Sequence, residues 1–405
     1  MAREKVLALI LAGGTGGRLE TLTRKRAKPV TPFAGVYRLI DFPLSHCVHS
    51  GLSDVWVVEQ YELHSLNEHL SNGRPWDLDR TYGGLQVLPP NQRKHGEEEG
   101  GFAQGNADAI WRQRTLIREF DPDVLLVLSS DHIYRLDYRD VLDRHRDRKA
   151  DLTLVSTRVP REQACRFGVV EVGGDGRVTG FEYKPESPRS DLVTTEVFAY
   201  DARKLLDTLD ALAAEGGKDK GKDKEEDGPS LKDFGDKLLP RLVAEGNVFD
   251  FRLEGYWRDV GTVDSYWQGH MDLLAPEPPI VPDDPGWPIL TTGPQRLPAR
   301  IDAAARVDGS FVASGCRVAG RVDHSVLAPG VIVEPGAEIR DSILLHETVV
   351  RSGARIERAI LDVGVEVGTG AVIGERDGDI ALIGQGIKIP DGAWIEAGAR
   401  VEPEE

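Results

Sequence analysis

A six-residue repeat in the last third of the chain restricts the possible folds more than any other feature. Aliphatic residues recur at this spacing in two parallel series, Val331, Ala337, Ile343 and Val349, and Val333, Ile339 and Leu345. Such a repeat is typical of a left-handed parallel β-helix, in which each turn buries one rung against the next. An ordinary β-sandwich with chance spacing is the alternative. The repeat continues less regularly at Val312, Val318, Val322, Val326, Val365, Ala371 and Ile373.

The chain up to about residue 275 follows a different pattern, in which short β-rich runs alternate with helical ones. Residues 55–59 and 124–129 have the composition of buried strands, whereas residues 107–120 and 138–149 have helical spacing and charge. This alternation predicts an α/β domain with a mostly parallel sheet. In such sheets ligands bind at the carboxyl ends of the strands.

Two segments interrupt these patterns and indicate the domain organisation. Residues 216–230, "GGKDKGKDKEEDGPS", are charged and contain no large apolar residue, which predicts a disordered surface insertion. The proline-rich stretch from Pro276 to Pro298 favours extended backbone and marks a domain boundary. We therefore expect a catalytic domain over 1–275, a linker over 276–300 and the β-helix over 301–405.

Charge and cysteine content exclude several classes of protein. Among 405 residues, 50 basic and 67 acidic side chains give a net charge of −17, which disfavours nucleic acid and anionic membrane surfaces as partners. The three cysteines form no CxxC pair, which argues against a zinc site or a disulfide framework. The apolar run at residues 6–12 is short for a signal peptide and continues into glycines, so it indicates a buried strand. We expect a cytoplasmic protein.

A glycine-rich loop follows that first strand. Residues 13–17, "GGTGG", precede Arg18 and a basic run that ends in Lys28. Leu19 occupies the position of the last glycine in a dinucleotide-binding fingerprint, and no Gly-Lys-Ser/Thr follows, so neither that motif nor a P-loop is present. Glycines let backbone N–H groups surround an anion, and Arg18 adds a planar fork for phosphate oxygens. The alternative is a tight turn followed by a solvated basic helix.

The full set of motifs identifies a resemblance to a known family. The glycine loop continues through "RAKP" into "PFAGVYRLIDFPLSHCVHSGL", and six further motifs follow in order: "QYELHSLNEHL", "GNADAIW", "SSDHIYRLDY", "RFGVVEV", "KDFGDKLLP" and "GYWRDVGTVDSYW". The chain resembles the sugar nucleotidyltransferases, specifically the glucose-1-phosphate adenylyltransferase family, over nearly its full length. The resemblance implies a Rossmann-like nucleotidyltransferase domain followed by a C-terminal left-handed β-helix, in a homodimer or homotetramer.

The resemblance also implies the reaction and the roles of individual residues. The family joins a nucleoside triphosphate to a sugar 1-phosphate and releases pyrophosphate, by in-line attack on the α-phosphorus. It implies a Mg²⁺ ion held by Asp131 and Asp259, Arg18 on the triphosphate tail and Lys28 on the reacting phosphates; Arg18, Lys28 and Asp131 are the expected catalytic residues. The expected nucleotide-binding residues are Gly13, Gly14, Thr15, Gly16, Gln60, Gly105 and Asp108. The expected sugar-phosphate residues are Gly168, Tyr183, Lys184, Thr194 and Glu196.

The departures from the family pattern concentrate around the sugar. Tyr183 replaces the acid of a usual Glu-Lys-Pro, and Glu196 stands where the family's Ser-Met-Gly has its glycine. Since the phosphate and metal motifs are intact, these changes predict a glucose-like substrate such as a cyclitol 1-phosphate; neutral drift in an ordinary glucose 1-phosphate enzyme is the alternative. Phe102 replaces a common Trp, and His46 and His49 replace asparagines, which leaves both ATP and GTP open as the donor.

Two other functions compete with this reading. A non-catalytic regulatory subunit also occurs in the family, but the intact phosphate and metal motifs argue against it. A hexapeptide acyltransferase is the third candidate, for which His346 is the catalytic histidine to test.

Overall fold

The protein is described by a computed structural model over residues 4–14, 16–90, 103–218 and 231–402. Within these residues the chain forms two compact units. Unit 1 takes its residues from three segments, Met1–Gly14, Pro43–Ser130 and Arg135–Trp257. Unit 2 takes its residues from Thr15–Phe42, Asp131–Tyr134 and Arg258–Glu405. Three segments of the predicted catalytic domain, residues 15–42, 131–134 and 258–275, therefore belong to the same unit as the C-terminal repeat.

The strands that precede the repeat are β1 (Val6–Ala12), β2 (Pro32–Phe33), β3 (Tyr37–Arg38), β4 (Asp54–Glu59), β5 (Gly84–Leu88), β6 (Val124–Ser129), β7 (His132–Tyr134), β8 (Leu152–Arg158), β9 (Gly168–Val172), β10 (Val178–Tyr183), β11 (Leu192–Asp201), β12 (Val248–Arg252) and β13 (Trp257–Asp259). The α-helices are α1 (Asp41–His49), α2 (Leu63–Leu70), α3 (Asn106–Arg112), α4 (Arg114–Phe120), α5 (Tyr138–Arg148), α6 (Arg161–Ala164), α7 (Ala202–Lys218), α8 (Leu239–Glu245) and α9 (Val263–Leu273). Short 3-10 turns cover Gly17–Thr23, Lys28–Val30 and Ser71–Trp76, and a π-helical turn covers Phe234–Leu238.

Unit 1 is built on a nine-stranded sheet. Its main strand order is β10-β9-β11-β6-β1-β4-β5, and β8 joins β11 to β12. The strands from β6 to β5 run parallel, as do β8 and β12, whereas β11 is antiparallel to β6 and β8. The central strand β1 is fully buried from Leu7 to Ile10, as expected for a parallel strand covered on both faces. The predicted α/β class is confirmed.

The predicted local elements agree with the structure at most positions. All three predicted strands form, as β1, β4 and β6, and α5 covers the predicted helix at 138–149 up to Arg148. The helix predicted over 107–120 is broken at Gln113 into α3 and α4, so that prediction was wrong about its continuity. Helix α7 extends to Lys218, which makes the first three residues of the predicted 216–230 insertion helical; residues 219–230 lie outside the described part of the chain.

Unit 2 contains the predicted parallel β-helix, whose short strands form three parallel six-stranded sheets. The first sheet contains Arg300–Ile301, Arg317–Val318, Ile332–Val333, Val349–Val350, Glu366–Val367 and Lys388–Ile389. The second contains Arg306–Asp308, Arg321–Asp323, Glu338–Arg340, Arg355–Glu357, Val372–Ile373 and Trp394–Ile395. The third contains Phe311–Val312, Val326–Leu327, Ile343–Leu344, Ala359–Leu361, Ala381–Ile383 and Arg400–Val401.

The repeat departs from strict six-residue spacing in the length of its coils. In the central coils Val333 pairs with Val350, and Ile339 pairs with Ile356, so that equivalent residues lie 17 positions apart. The spacing is 15 between Arg306 and Arg321 and 22 between Val372 and Trp394. A coil made of three six-residue segments would need 18 residues. One of the three segments in each 17-residue coil is therefore one residue short. As a result Val350 is buried, whereas the predicted Val349 is only half-buried.

No helix in the described residues combines the length and the apolar character that a membrane crossing requires.

Candidate active site

An acidic cluster in unit 2, formed by Asp131, His132 and Asp259, brings the two predicted metal ligands together. Asp131 immediately precedes β7, Asp259 ends β13, and the N–H of Val260 donates to the carbonyl of Asp131 at 3.2 Å. One ligand atom from each residue of the cluster lies within 4.8 Å of the others. The side chains of Asp131 and Asp259 are 16% and 14% exposed, so both carboxylates can reach a ligand from solvent.

The donor set of this cluster fits a divalent cation. Mg²⁺ prefers one or two carboxylates and completes its coordination with phosphate oxygens and water. His132 is buried, and its Nε2 lies 3.7 Å from a carboxylate oxygen of each aspartate. Sequence reasoning missed His132, although it follows Asp131 in "SSDHIY". The two carboxylates supply the oxygen ligands that Mg²⁺ favours, and His132 lies beside both of them.

Lys28 extends this cluster with a positive charge. Its ammonium forms an ion pair with Asp131, and its side chain is only 10% exposed. Burial on its own lowers the pKa of Lys28, but attraction to Asp131 and Asp259 and the hydrogen bond to Asp131 outweigh that effect and leave the pKa raised. Lys28 is therefore a fixed cation next to two carboxylates, an arrangement suited to neutralising phosphate oxygens.

The glycine loop is divided between the two units. In unit 2, Gly16 has a left-handed φ of 69°, and the hydroxyl of Thr23 donates to its carbonyl at 2.9 Å, which ties the loop to the turn that carries Arg18. The positive charge of Arg18 lowers the pKa of Lys28, against the larger effect of the two aspartates. In unit 1, a Cβ on Gly13 would lie 2.9 Å from the side chain of Gln60. Gly14 is exposed, and Thr15 lies outside the described residues.

Two further nucleotide-binding candidates lie at the start of α3 in unit 1. Gly105 has a φ of 144°, and a side chain there would overlap the backbone of Lys232. Asp108 is buried, and its Oδ2 accepts hydrogen bonds from the Gln104 N–H and from Arg112 Nε, each at 2.9 Å. Asp108 therefore fixes the turn that leads into α3.

The predicted sugar-phosphate residues are neighbours in unit 1. Gly168 and Tyr183 are paired across β9 and β10, and a Cβ on Gly168 would lie 3.1 Å from the hydroxyl of Thr194. Lys184 Nζ donates to the Tyr183 hydroxyl at 2.8 Å, and this hydroxyl donates to Asp233 Oδ2 at 3.1 Å. Burial raises the pKa of Tyr183, and the negative charge of Asp233 raises it further, so the phenol stays protonated.

Asp233 is a residue of this group that sequence reasoning did not single out. Its Oδ1 accepts a hydrogen bond from the N–H of Asn106 at 3.1 Å, and it forms a capping box with Asp236 at the start of the π-helical turn. Asp233 thus links Tyr183 to the first residue of α3. The motif "KDFGDKLLP" contained this aspartate, but neither its partner nor its direction follows from the motif.

Glu196 lies at an irregularity in β11. The register between β11 and β8 shifts between Thr194 and Phe198, and Glu196 has a left-handed φ of 55°. Its negative charge also contributes to the raised pKa of Tyr183. The carboxylate that departs from the family pattern is therefore electrostatically coupled to the phenol that also departs from it.

The basic run at residues 24–28 is not a solvated helix. Arg24 forms an ion pair with Glu402 at 2.8 Å, and Arg26 forms one with Asp362 at 2.8 Å. The Asp362 side chain is fully buried. The alternative reading of this segment as a solvated basic helix was therefore wrong, because carboxylates of the same unit bind two of its arginines.

The histidines that raised other possibilities have structural surroundings. His46 is fully buried in α1, with its ring centroid 6.0 Å from that of Tyr138; Phe102 lies outside the described residues. Burial, together with the positive charges of Arg38, Arg26 and Arg296, lowers the pKa of His346 to about 3. A ring with this pKa is a weak base near pH 7, which argues against an acyltransferase that depends on His346.

Comparison with known proteins gives matches to both parts of the chain. Residues 7–275 match a nucleotidyl transferase family model, and residues 297–381 match the model of a GlmU-like C-terminal hexapeptide. The glucose-1-phosphate adenylyltransferase of Desulforamulus reducens is 37% identical, with 98% of each chain covered. The enzyme of the same name from Thermomicrobium roseum is 41% identical, over 98% of this chain and 93% of its own. That from Acetivibrio thermocellus is 35% identical, over 100% of this chain and 94% of its own.

Proposed function

Because the chain belongs to the glucose-1-phosphate adenylyltransferase family, whose members are nucleotidyltransferases, we propose that it joins a nucleoside triphosphate to glucose 1-phosphate or a glucose-like 1-phosphate. The products are a nucleoside diphosphate sugar and pyrophosphate. The observation that carries the proposal is the acidic cluster with Lys28 beside it, because charge neutralisation at phosphate is the main requirement of this reaction.

The reaction begins with two anions that repel each other. A phosphate oxygen of the sugar 1-phosphate attacks the α-phosphorus of the nucleotide, and the bond from that phosphorus to the β-phosphate oxygen breaks. Lys28, kept protonated by its two aspartate neighbours, stabilises the negative charge that accumulates on the α-phosphate oxygens. Arg18 binds the triphosphate tail and holds the leaving pyrophosphate.

A Mg²⁺ ion bound by Asp131 and Asp259 would supply further neutralisation of phosphate charge and would align the triphosphate. The separation and exposure of these two carboxylates support this assignment. Asp131 also pairs with Lys28, so the same carboxylate fixes the position of both positive charges.

The predicted sugar-phosphate residues of unit 1 are proposed to contact the second substrate. Lys184 binds its phosphate, and Gly168 allows the ring to approach the backbone closely. Tyr183 presents a phenol, already bonded to Lys184 and Asp233, where the family pattern has a carboxylate. This difference in hydrogen-bonding capacity supports a glucose-like substrate, such as a cyclitol 1-phosphate, with ATP or GTP as donor. We further propose a homodimer or homotetramer.

The test is a substrate panel on the purified protein. Pyrophosphate release is measured with ATP and GTP, each paired with glucose 1-phosphate and with several glucose-like sugar and cyclitol 1-phosphates, in the presence of Mg²⁺. We expect release with at least one pair, and a higher kcat/KM for a glucose-like compound than for glucose 1-phosphate. Absence of release with every pair would favour a non-catalytic regulatory subunit.

A further inference from the structure

Two side chains of α9 hold one short segment of the N-terminal part of unit 2. Tyr266 and His270 lie one helical turn apart, and both are fully buried. The Tyr266 hydroxyl donates to the carbonyl of Pro32 at 2.6 Å, and the N–H of Ala34 donates to His270 Nε2 at 3.0 Å. Because Nε2 accepts, the ring proton lies on Nδ1, which donates to the carbonyl of Tyr266 at 2.9 Å.

The segment that these side chains hold is strained and closely packed against α9. Ala34 has a left-handed φ of 49°, which costs a non-glycine residue roughly 1–2 kcal/mol. The preceding residue, Phe33, packs against two α9 side chains. The centroid of its ring lies 4.4 Å from that of His270 and 6.3 Å from that of Tyr266. A Cβ on Gly269 would lie 3.2 Å from the Phe33 ring, so the helix approaches this ring closely. Burial lowers the pKa of His270 to about 4, and the ring is therefore a neutral acceptor at pH 7.

The same helix is connected to the acidic cluster at its other end. Thr262 and Ser265 form a capping box at the start of α9, and the N–H of Gly261 donates to the Ser265 hydroxyl at 3.1 Å. Gly261 is two residues after Asp259. The N-terminal end of α9 therefore holds the backbone two residues after one metal-ligand candidate.

The held segment, Pro32 to Ala34, begins four residues after Lys28 in the chain. The N–H of Thr31 donates to the carbonyl of Lys28 at 3.0 Å, and the N–H of Ile40 donates to the carbonyl of Pro29 at 2.9 Å. These bonds make residues 28–40 a compact loop, which α9 binds through hydrogen bonds at Pro32 and Ala34. One helix thus fixes the backbone on both sides of the ion pair between Lys28 and the cluster.

We propose that His270 and Tyr266 are positioning residues that hold Lys28 at the acidic cluster. The inference rests on the proposed function for its catalytic consequence, but the position of Lys28 can be measured separately. Both side chains are fully buried and form hydrogen bonds to backbone groups. Their effect passes through the backbone of residues 32–34, and displacement of a catalytic group by about 1 Å can lower a rate by about a hundredfold.

The experiment compares His270→Phe with His270→Gln. Phenylalanine fills the site but accepts no hydrogen bond from Ala34, whereas the glutamine amide offers both an acceptor and a donor. We expect His270→Phe to lower kcat about tenfold or more with KM changed less than about threefold, a loss of alignment rather than of binding. His270→Gln should recover most of that loss, and Tyr266→Phe should lower kcat less than His270→Phe.

A second readout does not need turnover. Acetylation of Lys28 by acetic anhydride, followed by mass spectrometry, reports how firmly the ammonium is held by Asp131. We expect Lys28 to be acetylated at least about threefold faster in His270→Phe than in the wild type, because a loosened ion pair exposes the amine. The matched control is His145→Leu, which removes another buried histidine, bonded to Thr153 at 3.1 Å in unit 1.

The outcomes separate the two claims. An unchanged Lys28 acetylation rate in His270→Phe overturns the positioning role. The role is also overturned if His145→Leu loses as much kcat as His270→Phe at the same loss of Tm. Faster acetylation in a protein whose wild type releases no pyrophosphate supports the positioning role and overturns the proposed function instead.

Discussion

Two of the predicted sugar-phosphate residues have backbone conformations that normally favour glycine. Lys184 has a φ of 47° and Glu196 a φ of 55°, each with a side chain that must tolerate a left-handed conformation. At Glu196 the family pattern has glycine, which takes this conformation without a steric penalty. The chain therefore carries a carboxylate at a position where backbone strain disfavours it, beside the phenol of Tyr183.

Restoring the family residues tests whether this carboxylate and this phenol determine the substrate. The double variant Tyr183→Glu with Glu196→Gly keeps the net charge of the group and gives Lys184 a carboxylate neighbour in place of the phenol. We expect kcat/KM for glucose 1-phosphate to rise about tenfold, equivalent to roughly 1.4 kcal/mol. The single variant Glu196→Gly should not lower Tm, because it removes left-handed strain. If glucose 1-phosphate is already the best substrate and the double variant is only impaired, the departures are neutral drift.

At this scale the sequence predicted residue types better than it predicted partners. Asp131 and Asp259 could be paired in advance because the resemblance to the family implies a metal role for both, on the motifs "SSDHIYRLDY" and "GYWRDVGTVDSYW". His132 was missed because adjacency in sequence does not reveal which side chain of a short strand turns toward Asp259. Asp233 was missed because its hydrogen bond to Tyr183 joins residues 50 positions apart.

Among the secondary-structure elements, the β-helix coils show how a strict repeat fails in detail. The six-residue spacing predicted the architecture, yet the central coils have 17 residues in place of the expected 18 because one corner is tighter. At that corner His324, Asp341 and Arg358 share left-handed φ values between 44° and 48°. These residue types do not predict a left-handed conformation, so the shorter corner could not be predicted from the sequence.

A serine ladder stabilises the same corner and provides a test. The N–H of Ser342 donates to the Ser325 hydroxyl at 3.1 Å, and the N–H of Ala359 donates to the Ser342 hydroxyl at 3.1 Å. The Ser342 hydroxyl in turn donates to the carbonyl of Arg340 at 2.6 Å. Ser342→Ala leaves a fully buried N–H without its acceptor, which should cost about 1–3 kcal/mol of unfolding free energy.

The measurement is chemical denaturation, with Ser314→Ala at a half-buried position of the same β-helix as the control. We expect a clear loss of stability in the Ser342 variant and a change within about 0.5 kcal/mol in the control. Equal stability of the two variants would mean that the ladder contributes nothing.

For the whole molecule, the compact units do not follow the order of the chain. Residues 15–42 belong to the unit of the β-helix, where Arg26 pairs with Asp362, and Glu20 pairs with Arg400. These ion pairs join segments more than 300 positions apart, and no local pattern predicts them. The alternation of strands and helices and the six-residue repeat do predict the two architectures, because each depends on local spacing.

The central claim is that the acidic cluster with Lys28 carries out nucleotidyl transfer with Mg²⁺. The most direct measurement is the rate of pyrophosphate release by Asp131→Asn and Asp259→Asn over a range of Mg²⁺ concentrations, with Asp302→Asn on the exposed β-helix surface as the control. We predict that both cluster variants keep the wild-type Tm within about 3 °C and lose about a hundred- to a thousandfold in turnover, the scale of one lost preorganised electrostatic group, while the control keeps full activity. Turnover near the wild-type value in both cluster variants would contradict the account.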